Sequence, residues 1–152
     1  MRTVWRLCSA RHARSALSGE GARLFGGRWN EKGVPLVYTS STLALAVVEI
    51  LVHVDEVPVD FVAIRIDITA SVKVERLSPR RLPRDWRAHP APARLQAVGT
   101  EWALSLRSLA LEVPSAVVPQ ERNVLLNPLH PSRTALVVHK PERFAFDRRL
   151  KR

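Results

Sequence analysis

An α+β fold is expected here, a mixed β-sheet with a few packed helices, and three observations predict it. Segments of strand character outnumber segments of helical periodicity, the two do not alternate regularly, and no internal repeat or low-complexity linker divides the chain. With 152 residues and 46% hydrophobic composition, the chain can bury about two-thirds of its unfolded surface. A single domain over 1–152 follows, in which 143–152 supplies a last strand and a basic C-terminal tail.

Taken in order, the chain opens on a first strand that carries Cys8. One cysteine forms no internal disulfide, and a small buried thiol is its ordinary role in a strand. Pro35-Leu36-Val37-Tyr38-Thr39 reads as a short apolar strand after the turn signals Gly33 and Pro35, with Tyr38 at its end. Ser40 or Ser41 can cap the next helix, which should run to about Val54. Leu43, Val47, Ile50, Leu51 and Val54 make one apolar face of it, and Glu49 and His53 share the other side. Leu45, Val48 and Val52 flank that side, so the helix is apolar nearly all round and expected to be buried.

Phe61 to Ile68 alternates cleanly, with Val62, Ile64, Ile66 and Ile68 on one face, and is the clearest strand. A short strand is expected at Val72 to Val74. Ser78 to Pro92, with prolines at 79, 83, 90 and 92, reads as a basic surface loop anchored by Trp86. Leu95, Val98, Trp102, Leu106 and Leu109 then mark a second amphipathic helix, weakened by Gly99. Leu109 to Val118 returns to strand character, and Pro114 inside it implies an edge or bulge that turns Ser115 toward a cleft. Gln120 to Asn123 reads as a polar turn. Thr134 to His139 and Arg143 to Phe146 are the last strands, followed by a mobile basic tail.

The net charge of +10, from 24 basic and 14 acidic residues, points to an acidic partner, whether nucleic acid, nucleotide or protein. Nearly all of it is arginine, with lysine only at Lys32, Lys73, Lys140 and Lys151. Scattered histidines and one cysteine offer no metal-ligand spacing, so no metal is expected. Met1 to Leu7 has no signal-peptide run, and no stretch approaches the roughly 18 apolar residues of a membrane span. A cytoplasmic protein without membrane contact is expected.

The chemistry concentrates between Arg23 and His53. Gly26-Gly27-Arg28 sets two glycines, which permit close backbone approach, before a guanidinium shaped to hold phosphate bidentately. Glu49 is the only acid between Glu31 and Asp55, and such a carboxylate among apolar residues costs several kcal/mol unless paired, exposed at a cleft, or required. Arg28, Tyr38 and Glu49 thus stand as a constellation on a loop, a strand and a helix. A structural ion pair between Arg28 and Glu49, with Tyr38 packed beside it, explains the same residues equally well.

GGRWN, the Gly33-Val34-Pro35 turn with VYTS behind it, LALAVVEILVH, and LEVPSAVVPQERNVLLNPLHP fall in an order that resembles the RES domain family over roughly Val4 to Arg143. The resemblance implies an ADP-ribosyltransferase-like split sheet and a bacterial toxin that consumes NAD as substrate. It also implies an Xre-type helix-turn-helix antitoxin as partner. On that pattern Glu49, Arg28 and Tyr38 are the catalytic candidates, and Gly27, Ser115, Asn123 and Asn127 the substrate-binding ones.

Cleaving the nicotinamide–ribose bond builds oxocarbenium-like charge, which a carboxylate such as Glu49 stabilises in a partly dry pocket. Tyr38, the only tyrosine, would stack on the nicotinamide, and Arg28 with the Gly26-Gly27 amides would hold the pyrophosphate. Ser115 would orient the ribose or the carboxylate. The acceptor stays open between water, inorganic phosphate as a co-substrate, and a protein side chain. Val47 stands where many arginine-modifying transferases carry a second acid, which argues against arginine transfer. No resident cofactor and no direct nucleic-acid contact are expected. The rival reading is a nucleic-acid-binding or RNA-cleaving protein that uses the Arg76–Arg94 loop, where arginines surround Trp86.

Overall fold

In the computed structural model, which describes residues 1–151, the element order is β1 (Arg2–Ser9), α1 (Glu20–Phe25), β2 (Val37–Ser40), α2 (Leu43–Leu51), β3 (Phe61–Ile68), β4 (Val74–Arg76), α3 (Ala93–Ser105), β5 (Ala110–Pro114), β6 (Arg122–Leu126), β7 (Leu136–Val138) and β8 (Glu142–Phe144). The strands join in one sheet ordered β4-β5-β6-β2-β1-β3-β7, with β8 also pairing β3. Among the described residues only β4 and β5 run parallel. The expected mixed α+β architecture is what forms. No helix among the described residues is long and apolar enough to cross a membrane.

The longest ladder joins β1 to β3, from Arg2 opposite Ile68 to Ser9 opposite Phe61. Side chains alternate across a strand, so this register sends Val4, Cys8, Val62, Ile64, Ile66 and Ile68 to one face. They pack there with Val37, Ala110, Val124 and Leu126, under the segment that carries Ala13, Ala16 and Leu17. The opposite face carries both long helices. α3 brings Leu95, Trp102 and Ala103 onto Leu111, Val113 and Leu125, while α2 brings Ala46 and Leu51 onto Leu7, Ala63 and Phe146. Helices held to one face of a largely antiparallel sheet make the α+β class.

Phe61 to Ile68 forms as read, and Cys8 lies buried in β1, where burial pushes its thiol above the ordinary value. The apolar face of α2 also packs as expected, with Leu43, Val47, Ile50 and Val54 around the Leu7–Ala63 cluster. Its cap differs. Ser40 is the last residue of β2 and gives its hydroxyl to Asn123 Oδ1, so Thr42 caps α2 by accepting the Leu45 N–H at 3.1 Å. α2 stops at Leu51, and Val52 is 50% exposed, so the helix lies on the sheet rather than inside the protein.

Other boundaries shift for identifiable reasons. α3 ends at Ser105 because Leu106 turns left-handed at φ 56°, which leaves its side chain exposed while Leu109 is buried after the turn. The short strand near residue 72 forms two residues later, as β4. β5 ends at Pro114, so Ser115 lies beyond the strand, its own N–H given to Glu121. Asn123 sits inside β6, opposite Ser40 and Val113, rather than in a turn. Phe146 is buried, and Asp147 caps a short turn at Arg148–Leu150, which gives the expected mobile tail local structure. Arg152 of that tail lies outside the described residues.

Candidate active site

The loop before Arg28 is held from within by Asn30. This side chain is fully buried, and its Nδ2 donates to the carbonyls of Ala22, Glu31 and Val34 at 2.8, 3.2 and 3.0 Å. Its Oδ1 accepts the Tyr38 hydroxyl at 2.6 Å, and that hydroxyl in turn accepts the Trp29 N–H at 3.0 Å. Burial raises the Tyr38 pKa far above its usual value, with only partial relief from the Trp29 N–H. The phenol therefore stays a donor, and Tyr38 ties β2 to the loop. Its ring packs against the Trp29–Trp102 cluster. The hydroxyl is thus engaged within the protein, inside β2 rather than at its end, while the residue as a whole is half-buried.

The glycines work by close approach. A Cβ on Gly27 would lie 2.5 Å from the Tyr38 hydroxyl and 2.9 Å from Asn30 Oδ1. Both loop amides are already used, Gly26 N–H toward Ala22 O and Gly27 N–H toward Asn30 O. Gly27 is thus a packing requirement, and the expected phosphate cradle of Gly26-Gly27 amides does not form. α3 clamps the loop from behind. Gln96 donates to the Gly27 carbonyl, Thr100 accepts the Glu31 N–H, and a Cβ on Gly99 would come within 1.7 Å of the Trp29 carbonyl oxygen. Gly99, read from sequence as a weakness of the helix, is the position that lets α3 seat on this loop.

Glu49 projects from α2 toward the ends of β5 and β6. Its Oε1 accepts Ser115 Oγ at 2.6 Å and Asn123 Nδ2 at 2.7 Å. Ser115 is fully buried and its Oγ also accepts the Val117 and Val118 N–H groups, so the hydroxyl hydrogen is directed at the carboxylate. Asn123 is oriented by Ser40, which donates to its Oδ1 at 2.7 Å. Ser115, read as orienting either the ribose or the carboxylate, donates to the carboxylate, and Asn123, expected among the substrate-binding residues, is its second donor. Among the described residues Oε2 has no hydrogen-bond donor, and it is not a buried unpartnered atom. One oxygen is anchored and the other faces the open side.

Arg28 makes no ion pair with Glu49 among the described residues. Its Nη1 donates to the carbonyls of Trp86 and Ala88, both at 2.9 Å. Partial burial lowers the Arg28 pKa, while the charge of Glu49 and the Tyr38 oxygen raise it in part, so the three expected residues do share one electrostatic neighbourhood. The loop that Arg28 holds is the rim of the site. Arg87 Nε donates to the Ala116 carbonyl beside Ser115, and the His89 ring lies 5.8 Å from that of His53, one turn beyond Glu49. Trp86 packs into the core beneath. Arg28 keeps Nε and Nη2 without a protein acceptor among the described residues, and neither is a buried unpartnered atom.

Asn127 stands apart from this group. It is fully buried, donates to Ala103 O at the end of α3 and accepts the Leu129 N–H, so its role is to join α3 to the loop after β6. Asn30, Gln96 and Thr100 were not assigned from the sequence, though GGRWN carried one signal: an amide among apolar residues needs internal partners.

The RES domain family model matches residues 3–147. The chain is 43% identical over 151 residues to Toxin Res of Yersinia enterocolitica, covering 97% of this chain and 99% of that protein. It is 38% identical over 154 residues to the Prs ADP-ribosylating toxin of a Sphingobium species, covering 97% and 96%. Its fold is similar to a chain in the crystal structure of the M. tuberculosis MbcT–MbcA toxin–antitoxin complex, with a TM-score of 0.73 and 24% identity over 95% of this chain and 84% of that one. A sheet and helix arrangement shared with that structure, and a family match over nearly the whole chain, lead to one conclusion: this chain belongs to the RES domain family.

Proposed function

We propose that this protein is the toxin of a toxin–antitoxin pair and that it breaks the nicotinamide–ribose bond of NAD at Glu49. The single observation behind this reading is the divided carboxylate, with Oε1 fixed by Ser115 and Asn123 and Oε2 open. Nicotinamide leaves as a neutral base from a cationic ring, so the reaction needs no proton donor. It needs an anion beside the ribose carbon as positive charge develops there. A carboxylate already oriented by two donors meets that charge without reorganising. Arg28, anchored to the rim loop through Nη1, offers Nε and Nη2 to the pyrophosphate, as a guanidinium does bidentately. Tyr38 and Asn30 act through the loop that aims Arg28.

The relatives named Toxin Res and the ADP-ribosylating toxin support this reading, and the toxin–antitoxin title of the structural neighbour supports a protein antitoxin. We take that antitoxin to be of the Xre helix-turn-helix type, covering the cleft. The rival reading rests on the Arg76–Arg94 loop, where Arg87 and Arg94 are engaged by the Ala116 carbonyl and Asp85, which leaves fewer of its arginines for a nucleic-acid backbone.

The test is nicotinamide released from NAD by the purified chain, with and without inorganic phosphate, beside Glu49→Gln. Release that disappears in the variant supports cleavage at Glu49. Dependence on phosphate identifies a phosphorylase, phosphate-independent release a glycohydrolase, and label from NAD appearing on protein a transferase. A folded chain that releases nothing in any arm refutes the proposal.

A further inference from the structure

The sheet face opposite Glu49 carries a second concentration of charge. Strand alternation sends Arg2, Arg76, Glu112 and Arg122 to the same face as Val4, Val74, Ala110 and Val124, whereas Asn123 and Glu49 belong to the helix-covered face. Glu112 sits in β5 with Arg76 directly opposite on β4. Its Oε1 lies 3.3 Å from Arg76 Nε and 3.7 Å from Arg122 Nε, and its Oε2 lies 2.6 Å from Arg2 Nη2. Arg2 is on β1, three strands from β5, or about 14 Å away in a flat sheet. The contact brings Arg2 to the same carboxylate that Arg76 and Arg122 approach.

The cluster is not balanced. Among the described residues three guanidinium charges face one carboxylate, which leaves two positive charges uncompensated. Arg122 is the least satisfied of the three: its Nε is beyond hydrogen-bond range of Glu112, and its Nη1 is buried with no acceptor among the described residues. A buried guanidinium N–H without an acceptor carries a desolvation penalty that native proteins rarely leave standing. Arg76 and Arg2 remain 66% and 35% exposed, so the cluster opens to solvent on one side. None of this is used by the chemistry at Glu49.

We propose that Arg2, Arg76 and Arg122 bind a phosphate group, in a site separate from the one at Glu49. The charge selects the ligand. A phosphate carries about −1.5 to −2 at pH 7 and three acceptor oxygens, which matches two unbalanced charges and several free guanidinium N–H groups better than a lone carboxylate would. Glu112 already occupies the cluster as the carboxylate, and its second role is to hold the arginines apart and preorganised for the incoming oxyanion. The group can belong to a small phosphate compound or to a nucleic-acid backbone.

The probe is pyrophosphate, titrated into the whole chain while the arginine Nε–H signals are followed by NMR, with those of Arg76 and Arg122 assigned from the variants. A second titration uses a short single-stranded oligonucleotide. Movement of the Arg76 and Arg122 signals, with binding weakened roughly tenfold in Arg76→Gln and tightened in Glu112→Gln, supports the site. Arg76 is largely exposed, so its variant keeps the fold even where Arg122→Gln does not. If the oligonucleotide moves the same signals at lower concentration than pyrophosphate, the phosphate is that of a nucleic-acid backbone. Signals that stay still with both probes, or equal affinity of Arg76→Gln and the parent chain, overturn the proposal. This readout is independent of NAD cleavage, so its failure leaves the reading of Glu49 intact.

Discussion

Ser115 gives its hydroxyl hydrogen to Glu49 Oε1 at 2.6 Å, although 66 residues separate the two in the chain. The same oxygen atom of Ser115 collects the N–H groups of Val117 and Val118, so the turn after β5 and the carboxylate of α2 form one hydrogen-bonded unit. Ser115→Ala should cost about 1–2 kcal/mol in denaturant unfolding, because those groups lose a partner. Nicotinamide release should fall roughly 10- to 100-fold through a misaligned carboxylate. Unchanged release would mean that the serine does not orient Glu49.

Gly27 and Tyr38 are coupled by contact. Gly27→Ala forces a methyl group against the Tyr38 hydroxyl and should destabilise by about 1–3 kcal/mol. Tyr38→Phe removes that hydroxyl, so the double variant should be more stable than the sum of the single changes predicts. A chemical-denaturation cycle measures the coupling, and simple additivity would exclude the contact.

Gly99→Ala should be the more damaging glycine change, at the upper end of about 1–3 kcal/mol, because the added Cβ meets the Trp29 backbone rather than a side chain that can move. Lost seating of α3 should also displace Arg28, so activity should fall further than the stability loss accounts for at a temperature where the variant is still folded.

Arg28→Lys replaces a guanidinium that reaches two carbonyls with a single ammonium. The 83–92 loop should then be cleaved faster in limited proteolysis, and nicotinamide release should drop on the order of 100-fold. Normal loop protection in the variant would show that Arg28 does not hold the rim.

Asp67 predicts an acid dependence. It receives Thr3, Arg65 and His139, and the Thr3 and His139 bonds, followed by Arg65, hold its pKa down to about 2 against an ordinary 3.8. A carboxyl whose folded pKa is depressed adds stability above its unfolded pKa and loses it as pH falls toward the folded one. Stability should therefore decline between about pH 4 and 2, and Asp67→Asn should flatten that part of the profile in urea unfolding followed across pH.

Residue order and type carry the fold class, the β3 alternation, the apolar face of α2, and the grouping of Arg28, Tyr38 and Glu49 in one neighbourhood. These are local properties, since periodicity fixes which side of an element is apolar and a lone acid among apolar residues needs a reason to be there. Tertiary structure alone decided what each residue does. Whether Arg28 pairs with Glu49 or with the Trp86 and Ala88 carbonyls depends on a loop 58 and 60 positions away. Whether Ser115 and Asn123 touch a ligand or aim a carboxylate depends on the register that brings the ends of β5 and β6 within reach of Glu49 on α2. Gly99 looked like a flaw in a helix because its partner, the Trp29 backbone, lies on a loop that no helical periodicity reveals. Hydrogen bonds and close approaches between distant segments have no period along the chain, so only the folded arrangement discloses them.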